Sequence, residues 1–131
     1  MATIELQIPA KSAYVGIVRL ALAFAARAAG LGDEAVDDLK IAVSEACANA
    51  VLSHEQAGAD APVTVTWNDS DEEVVVEVAD RGSSDRPPAE DSVGGAGRYE
   101  LSAALLQSLL DECTFEPRPG GGTLARLVLR R

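Results

Sequence analysis

Aromatic residues are scarce. They make up 4% of the sequence, one Trp, two Tyr and two Phe, so the core has to be built from aliphatic side chains. Cysteine is almost absent too: Cys47 and Cys113 stand far apart in apolar surroundings, without the spacing of metal ligands. With no secretory leader read ahead of them, the expectation is a reduced, cytoplasmic protein. Basic residues are few, 11 Lys and Arg against 21 Asp and Glu, for a formal net charge of −10. That field repels nucleic-acid phosphates and no local Lys/Arg cluster reverses it, so direct nucleic-acid binding is not expected. A mononucleotide is not excluded, because Mg²⁺ and backbone N–H groups can hold one without a basic surface. The acidity favours a basic protein partner instead. The longest apolar run, residues 14–31, is interrupted by Arg19 and Arg27 and reads as a buried amphipathic helix, not a membrane anchor. Repeats and linkers are absent, and 131 residues suit one domain, 1–131, burying roughly two-thirds of its unfolded surface.

Hydrophobic periodicity supplies the elements. Ile4, Leu6 and Ile8 alternate with polar residues and predict a half-buried strand ended by Pro9. Ser12 is placed to cap a helix that runs to about Ala29 and stops at Gly30, and Asp33 to cap the next. The second helix, about residues 34–52, carries Val36, Leu39, Val43, Cys47 and Ala50 as one core-facing stripe. Residues 63–67 and 72–79 are β-branched runs around the turn cluster Asn68, Asp69, Ser70 and Asp71, which predicts an antiparallel hairpin. Residues 81–98, rich in Gly, Ser, Pro and Asp, read as a mobile surface loop. A third helix is expected from near Tyr99 to Asp111, with Leu101, Ala104, Leu105 and Leu109 inward, then a hairpin of residues 113–116 and 123–130. The order β-α-α-β-β-loop-α-β-β predicts an α+β fold, one mixed sheet with helices on one face.

Four places could carry chemistry. Glu45 and Asn49 lie one turn apart on a helical face outside the core stripe, among Ile41, Ala42, Ala48 and Leu52. Their oxygens suit Mg²⁺, and a carboxylate there can act as a base; the plain alternative is a polar pair on an exposed edge. Asp80-Arg81-Gly82 leaves an apolar strand, where a carboxylate can accept from an exocyclic amine and glycine lets a flat ring approach, or where the three residues simply turn the chain. Gly94-Gly95-Ala96-Gly97 before the third helix could cradle phosphates or be a flexible connector; it is no Walker loop, since it lacks the Lys-Ser/Thr ending. Thr123, after three glycines, offers a hydroxyl to back up a base contact, or only the exit of a turn.

In combination these places resemble one family. DDLKIAVSEACANAV, with SEACANA at residues 44–50, resembles the N-box of the ATPase superfamily that includes gyrase, histidine kinases and the mismatch-repair ATPases. VVVEVADRG, residues 74–82, is similar to its adenine-binding box, and GGTLARLVL, residues 121–129, to its closing strand. The short length and the SEAC-x-NAV wording resemble the anti-sigma-factor serine kinases, over nearly the whole chain. The resemblance implies a two-layer α/β sandwich of the Bergerat type, ATP and Mg²⁺ as cofactors, and phosphorylation of a Ser or Thr on an anti-anti-sigma (STAS-type) partner. It further implies capture of a sigma factor, whose polymerase-binding regions are generally basic, and a homodimer with the first strand and helix near the interface. Carried over by motif, Glu45 is the general base, Asn49 the Mg²⁺ ligand, Asp80 the adenine-amine acceptor, Gly82 the residue that admits adenine, Gly95 and Gly97 the phosphate-side glycines, and Thr123 a second adenine contact.

The chain departs from the family pattern at Gly95-Ala96-Gly97, where polar Arg98 follows in place of an apolar residue. The rival reading is therefore a non-catalytic anti-sigma binding module whose nucleotide grip has degenerated, because phosphoryl transfer depends on positioning and charge stabilisation. A third reading, a histidine-kinase ATPase domain served by a phosphoacceptor on another chain, has no His-bearing dimerising helix to support it. His54, one step beyond the family's usual His, is given no role.

Overall fold

Strand β1 (Thr3–Ile8) is the first of five strands in the computed structural model of this chain, which describes residues 2–82 and 93–131, residues 93–99 by their backbone path alone. A 3-10 turn, Ser12–Tyr14, leads into α1 (Val15–Ala28), followed by α2 (Asp33–Ala57) and the strands β2 (Val63–Asp69) and β3 (Glu73–Ala79). Then come α3 (Val93–Leu109), β4 (Glu112–Pro117) and β5 (Thr123–Arg130). The element order is the one the periodicity predicts.

The sheet runs β1-β2-β3-β5-β4, and every ladder in it is antiparallel. The α+β class holds, but the sheet is not mixed. Its registers explain the difference: β3 and β4 point the same way, as in a parallel crossover, yet β5 lies between them and pairs antiparallel with both. On one face Val63, Val65 and Trp67 of β2, Val74, Val76 and Val78 of β3, and Ala125 and Leu127 of β5 are buried. Each such Val or Leu contributes about 1.5–3 kcal/mol relative to an exposed position. Trp67, fully buried, also donates its indole N–H to Asp69 Oδ2 at 2.8 Å, so the one large aromatic is packed without an orphaned donor.

Helix α2 buries Val36, Leu39, Val43, Cys47 and Ala50 along the predicted stripe, and it ends at Gly58, whose φ of 65° lies in the left-handed region that favours glycine. It continues five residues past the expected end. Asp33 is its first residue and not its cap: Gly32 holds the cap position without a side-chain bond, and the Asp33 and Glu34 carboxylates sit in the first turn where the helix dipole favours them. Ser12 likewise caps nothing; it opens the 3-10 turn. In α1, one face is buried through Val15, Val18, Leu22, Ala23, Ala25 and Ala26, and the chain turns at Gly30 as expected. The opposite face is apolar yet exposed, at Tyr14, Ile17, Leu20 and Phe24, so the helix is not buried all round. Among the described residues no helix is long and apolar enough to cross a membrane.

Helix α3 begins at Val93 and takes Gly94, Gly95 and Gly97 into its first turns, six residues before the predicted start. Each glycine costs a helix about 1 kcal/mol relative to alanine, which is why the sequence argues for a loop there; each added residue also gains a backbone hydrogen bond. Of the loop expected over residues 81–98, residues 83–92 lie outside the described residues and residues 93–98 are helical. Among the described side chains the inward face is Ser102 and Leu106, continued by Leu110 just past the helix, with Leu109 partly buried, and not Leu101, Ala104 and Leu105. Two apolar stripes lie one residue apart on this helix, and the buried one is disguised by a serine.

Candidate functional site

The turn after β3 is tied on every side. Asp80 Oδ1 accepts the backbone N–H of Gly82 at 3.0 Å and of Thr123 at 3.1 Å, while Asp80 N–H donates to the Thr123 carbonyl at 2.9 Å. The Asp80 carbonyl accepts from the Arg118 guanidinium at 2.8 Å. Arg81 donates through Nη1 to the carbonyls of Pro119 at 2.6 Å and Gly121 at 2.8 Å, which fastens the β4–β5 turn to the same place. Burial pushes the Asp80 carboxyl above its ordinary pKa, against the lowering effect of the two N–H groups, then of His54 and Arg118.

From the other side the end of α2 closes on this turn. His54, buried at 1% exposure, accepts the Arg81 N–H at 2.9 Å through Nε2, and its Nδ1 has no partner among the described residues. A Cβ on Gly82 would sit 2.4 Å from both the carbonyl carbon and Oγ of Ser53. Glycine is therefore required for the turn to lie against α2, whatever a ring would ask of it in addition. Gly122 is held in the same way: its φ is +99°, and a Cβ there would stand 2.0 Å from the Asp80 carbonyl oxygen.

Helix α2 links this end to the other candidates. Glu45, Asn49 and Ser53 follow at four-residue steps, so one side of the helix carries all three over about 12 Å of axis. Glu45 is half-buried and lines an open groove of about 590 Å³ with Arg19, Asp37, Lys40, Ile41 and Ser44. The groove is closed off on one side by Arg19, whose Nε donates to Ser44 Oγ at 2.9 Å. Asn49 is turned inward, 4% exposed, and its Nδ2 donates to Ser102 Oγ at 2.7 Å. Its Oδ1 is buried without a partner among the described residues. A buried carbonyl left unpaired costs roughly 1–3 kcal/mol, so an acceptor without a partner among the described residues is a candidate contact for a ligand.

The structure thus brings Asp80, Gly82 and Thr123 into direct contact and aligns Glu45 and Asn49 with them along α2. Thr123 takes part through its backbone, and its hydroxyl is not the atom that reaches Asp80. Gly95 and Gly97 sit in α3; the first four N–H groups of a helix lack intrahelical partners, which includes Gly94 and Gly95 but not Gly97. Three contributors escape the sequence reading. Arg118 and Arg81 act through contacts across the chain that no spacing announces, and Ser102 is a lone serine in an alanine- and leucine-rich helix. His54 is visible as an odd histidine, but its bond to Arg81 spans 27 residues.

Residues 8–128 match the model of the histidine kinase-like ATPase domain. The chain belongs to that family. Among its curated relatives, serine-protein kinase RsbW of Bacillus pumilus is 37% identical, the match covering 89% of this chain and 80% of the relative. RsbW of Bacillus subtilis is 34% identical over 89% and 79%, and RsbW of Listeria innocua 43% identical over a shorter stretch, 62% and 52%. A crystal structure of the RsbU and RsbW domains of a Mycobacterium tuberculosis protein has a similar fold, with a TM-score of 0.76 at 21% identity, covering 99% of this chain and 32% of that one. Within the family the free Asn49 oxygen has a chemical reading. Among the described residues no group of three His, Cys, Asp or Glu could hold a metal by itself. Mg²⁺ is commonly held by one or two protein oxygens plus substrate phosphates and water, and a single unpartnered carboxamide oxygen fits that donor set.

Proposed function

We propose that this protein is a cytoplasmic ATP-dependent serine/threonine kinase and anti-sigma factor: it sequesters a bacterial sigma factor and phosphorylates a Ser or Thr of an anti-anti-sigma protein of the STAS type. The observation that carries this reading is the line along α2, from Glu45 past the unpartnered Asn49 oxygen to the Ser53–Gly82 contact beside Asp80. This line supports a nucleotide site with its adenine end and its phosphate end on one helix. The kinship with serine-protein kinases supports the choice of reaction.

In this reading Asp80, with Oδ1 committed to Gly82 and Thr123, meets the adenine amine through Oδ2, and Thr123 lies beside the same ring. Asn49 Oδ1 holds Mg²⁺, which when bound screens the phosphate charges and supplies Lewis-acid stabilisation of the transferring group. The free N–H groups at the start of α3, Gly95 among them, with Gly97 behind, face the phosphates. Glu45, open to the α1–α2 groove, accepts the proton of the substrate hydroxyl as that oxygen bonds to the γ-phosphorus and the bond to ADP breaks. The exposed apolar face of α1 (Tyr14, Ile17, Leu20, Phe24) is the surface through which two copies form a homodimer.

The test is transfer of labelled γ-phosphate from ATP with Mg²⁺ to candidate anti-anti-sigma proteins, beside nucleotide binding by calorimetry. The intact chain binds ATP and transfers. Glu45→Gln keeps binding and loses transfer by at least about 100-fold, the usual contribution of a general base. Asn49→Ala loses the Mg²⁺-dependent part of binding along with transfer. Sigma-factor capture and ATP binding without transfer to any candidate would establish the binding-only module in place of the kinase.

A further inference from the structure

Among the described side chains Ser102 is the one polar residue on the buried face of α3, beside Leu106 and in line with Leu110 just past the helix end. At 3% exposure its hydroxyl lies 2.7 Å from Asn49 Nδ2, a bond between α2 and α3 across 53 residues of chain. An alanine would fill that position and keep the stripe apolar, so packing does not call for serine. A carboxamide has two nearly isosteric orientations, and only one of them presents the oxygen to a cation. With Nδ2 given to Ser102, Oδ1 is the atom left buried and without a partner among the described residues. The serine hydroxyl could instead donate to the oxygen, which would turn the NH₂ group towards any bound cation, so it is the hydroxyl's role as acceptor from Nδ2 that leaves Oδ1 available.

We infer that Ser102 is a positioning residue, whose hydroxyl holds the Asn49 carboxamide with Oδ1 free for Mg²⁺ and so joins α3 to the phosphate end of the site. The inference rests on the nucleotide-binding reading above and extends it to a residue outside the N-box, the adenine-binding box and the closing strand. Outer-shell partners of metal ligands act through ligand orientation, and their loss typically lowers metal affinity about 10- to 100-fold. A residue needed for packing alone would alter folding without changing the Mg²⁺ requirement.

The experiment measures ATP affinity by calorimetry as a function of Mg²⁺, from EDTA to saturation, for the intact chain, Ser102→Ala and Ser102→Thr, with thermal unfolding as the check on folding. Ser102→Ala is expected to need about tenfold more Mg²⁺ for half-maximal enhancement while its affinity in EDTA stays within twofold of the intact chain. Ser102→Thr, which keeps the hydroxyl, restores the original midpoint. Should the alanine protein fail to fold, Ser102→Cys, nearly isosteric but a weak acceptor, is expected to shift the midpoint in the same direction. An unchanged midpoint in a folded variant overturns the positioning role. So does tighter Mg²⁺ binding, which would make the serine a competitor for Asn49. An intact chain that binds ATP with no Mg²⁺ enhancement overturns the metal assignment to Asn49 itself, and this inference with it.

Discussion

Asp80 ties the turn through Oδ1, and in the proposed function it meets adenine through Oδ2; its titration separates the two roles. Its carboxyl is desolvated enough that the folded-state pKa is raised, although Gly82 and Thr123 donate to Oδ1 and pull the other way. The folded chain therefore keeps a proton at pH values where the unfolded chain, with a carboxyl near its usual value of about 3.9, has lost it. Stability falls as pH rises from that value through the folded pKa, so ionisation of Asp80 costs stability. Asp80→Asn keeps an Oδ1 acceptor for both N–H groups and removes the charge. Its unfolding free energy in urea at pH 7 is expected to equal or exceed that of the intact chain, with the margin closing as pH is lowered towards 4. ATP affinity falls at the same time by about 10- to 100-fold, the worth of a hydrogen bond to a charged acceptor. Lower stability of the Asn variant at pH 7 would show that the ionised carboxylate holds the turn. The carboxylate itself was legible in the sequence, as an acid leaving an apolar strand before glycine, and so were Glu45 and Asn49 from their spacing. Ser102, Arg81, Arg118 and His54 were not, because each acts on a residue far away in the chain, and a spacing argument reaches only as far as its own element.

Among the elements, the strands and the end of α1 were read most directly from sequence, whereas the caps expected at Ser12 and Asp33, the end of α2 and the start of α3 were not. Alternation in β1, β2 and β3 translates into one buried face, and Gly30 closes α1 in a positive-φ conformation that favours glycine. Helix faces were harder. In α3 two stripes compete, and the true one contains a serine whose burial is compensated by Asn49 and not by apolar contact. In α1 the sequence is apolar on both sides, and periodicity cannot tell a covered face from an uncovered one. Tyr14, Ile17, Leu20 and Phe24 remain exposed there, Phe24 at 70% and Leu20 at 60%. If that face joins two copies, replacing Leu20 and Phe24 with serine changes assembly and not folding. The double variant is expected to sediment as a monomer at concentrations where the intact chain is a dimer, with monomer stability altered by no more than about 0.5 kcal/mol per site. A monomeric intact chain would remove the dimer from the proposed function, and an unfolded variant would mean that the face belongs to the monomer's own core.

The net charge of −10 acts over the entire surface, and its effect should be kinetic. Interactions between exposed charges are screened over about 10 Å at 0.1 M salt, so the long-range field that gathers a basic partner weakens steeply as salt is added. Contacts buried in the finished complex are screened far less. For capture of a basic sigma-factor segment, the association rate is therefore expected to fall by about tenfold or more between 20 and 300 mM NaCl, while the dissociation rate changes little. Stopped-flow fluorescence over that salt range measures both rates. The opposite pattern, a salt-insensitive association rate with faster dissociation in high salt, would place the electrostatics in a few close ion pairs of the complex and remove the role argued here for the acidic surface. The scarcity of Lys and Arg would then serve only to exclude nucleic acid, and capture would rest on those ion pairs together with apolar contact.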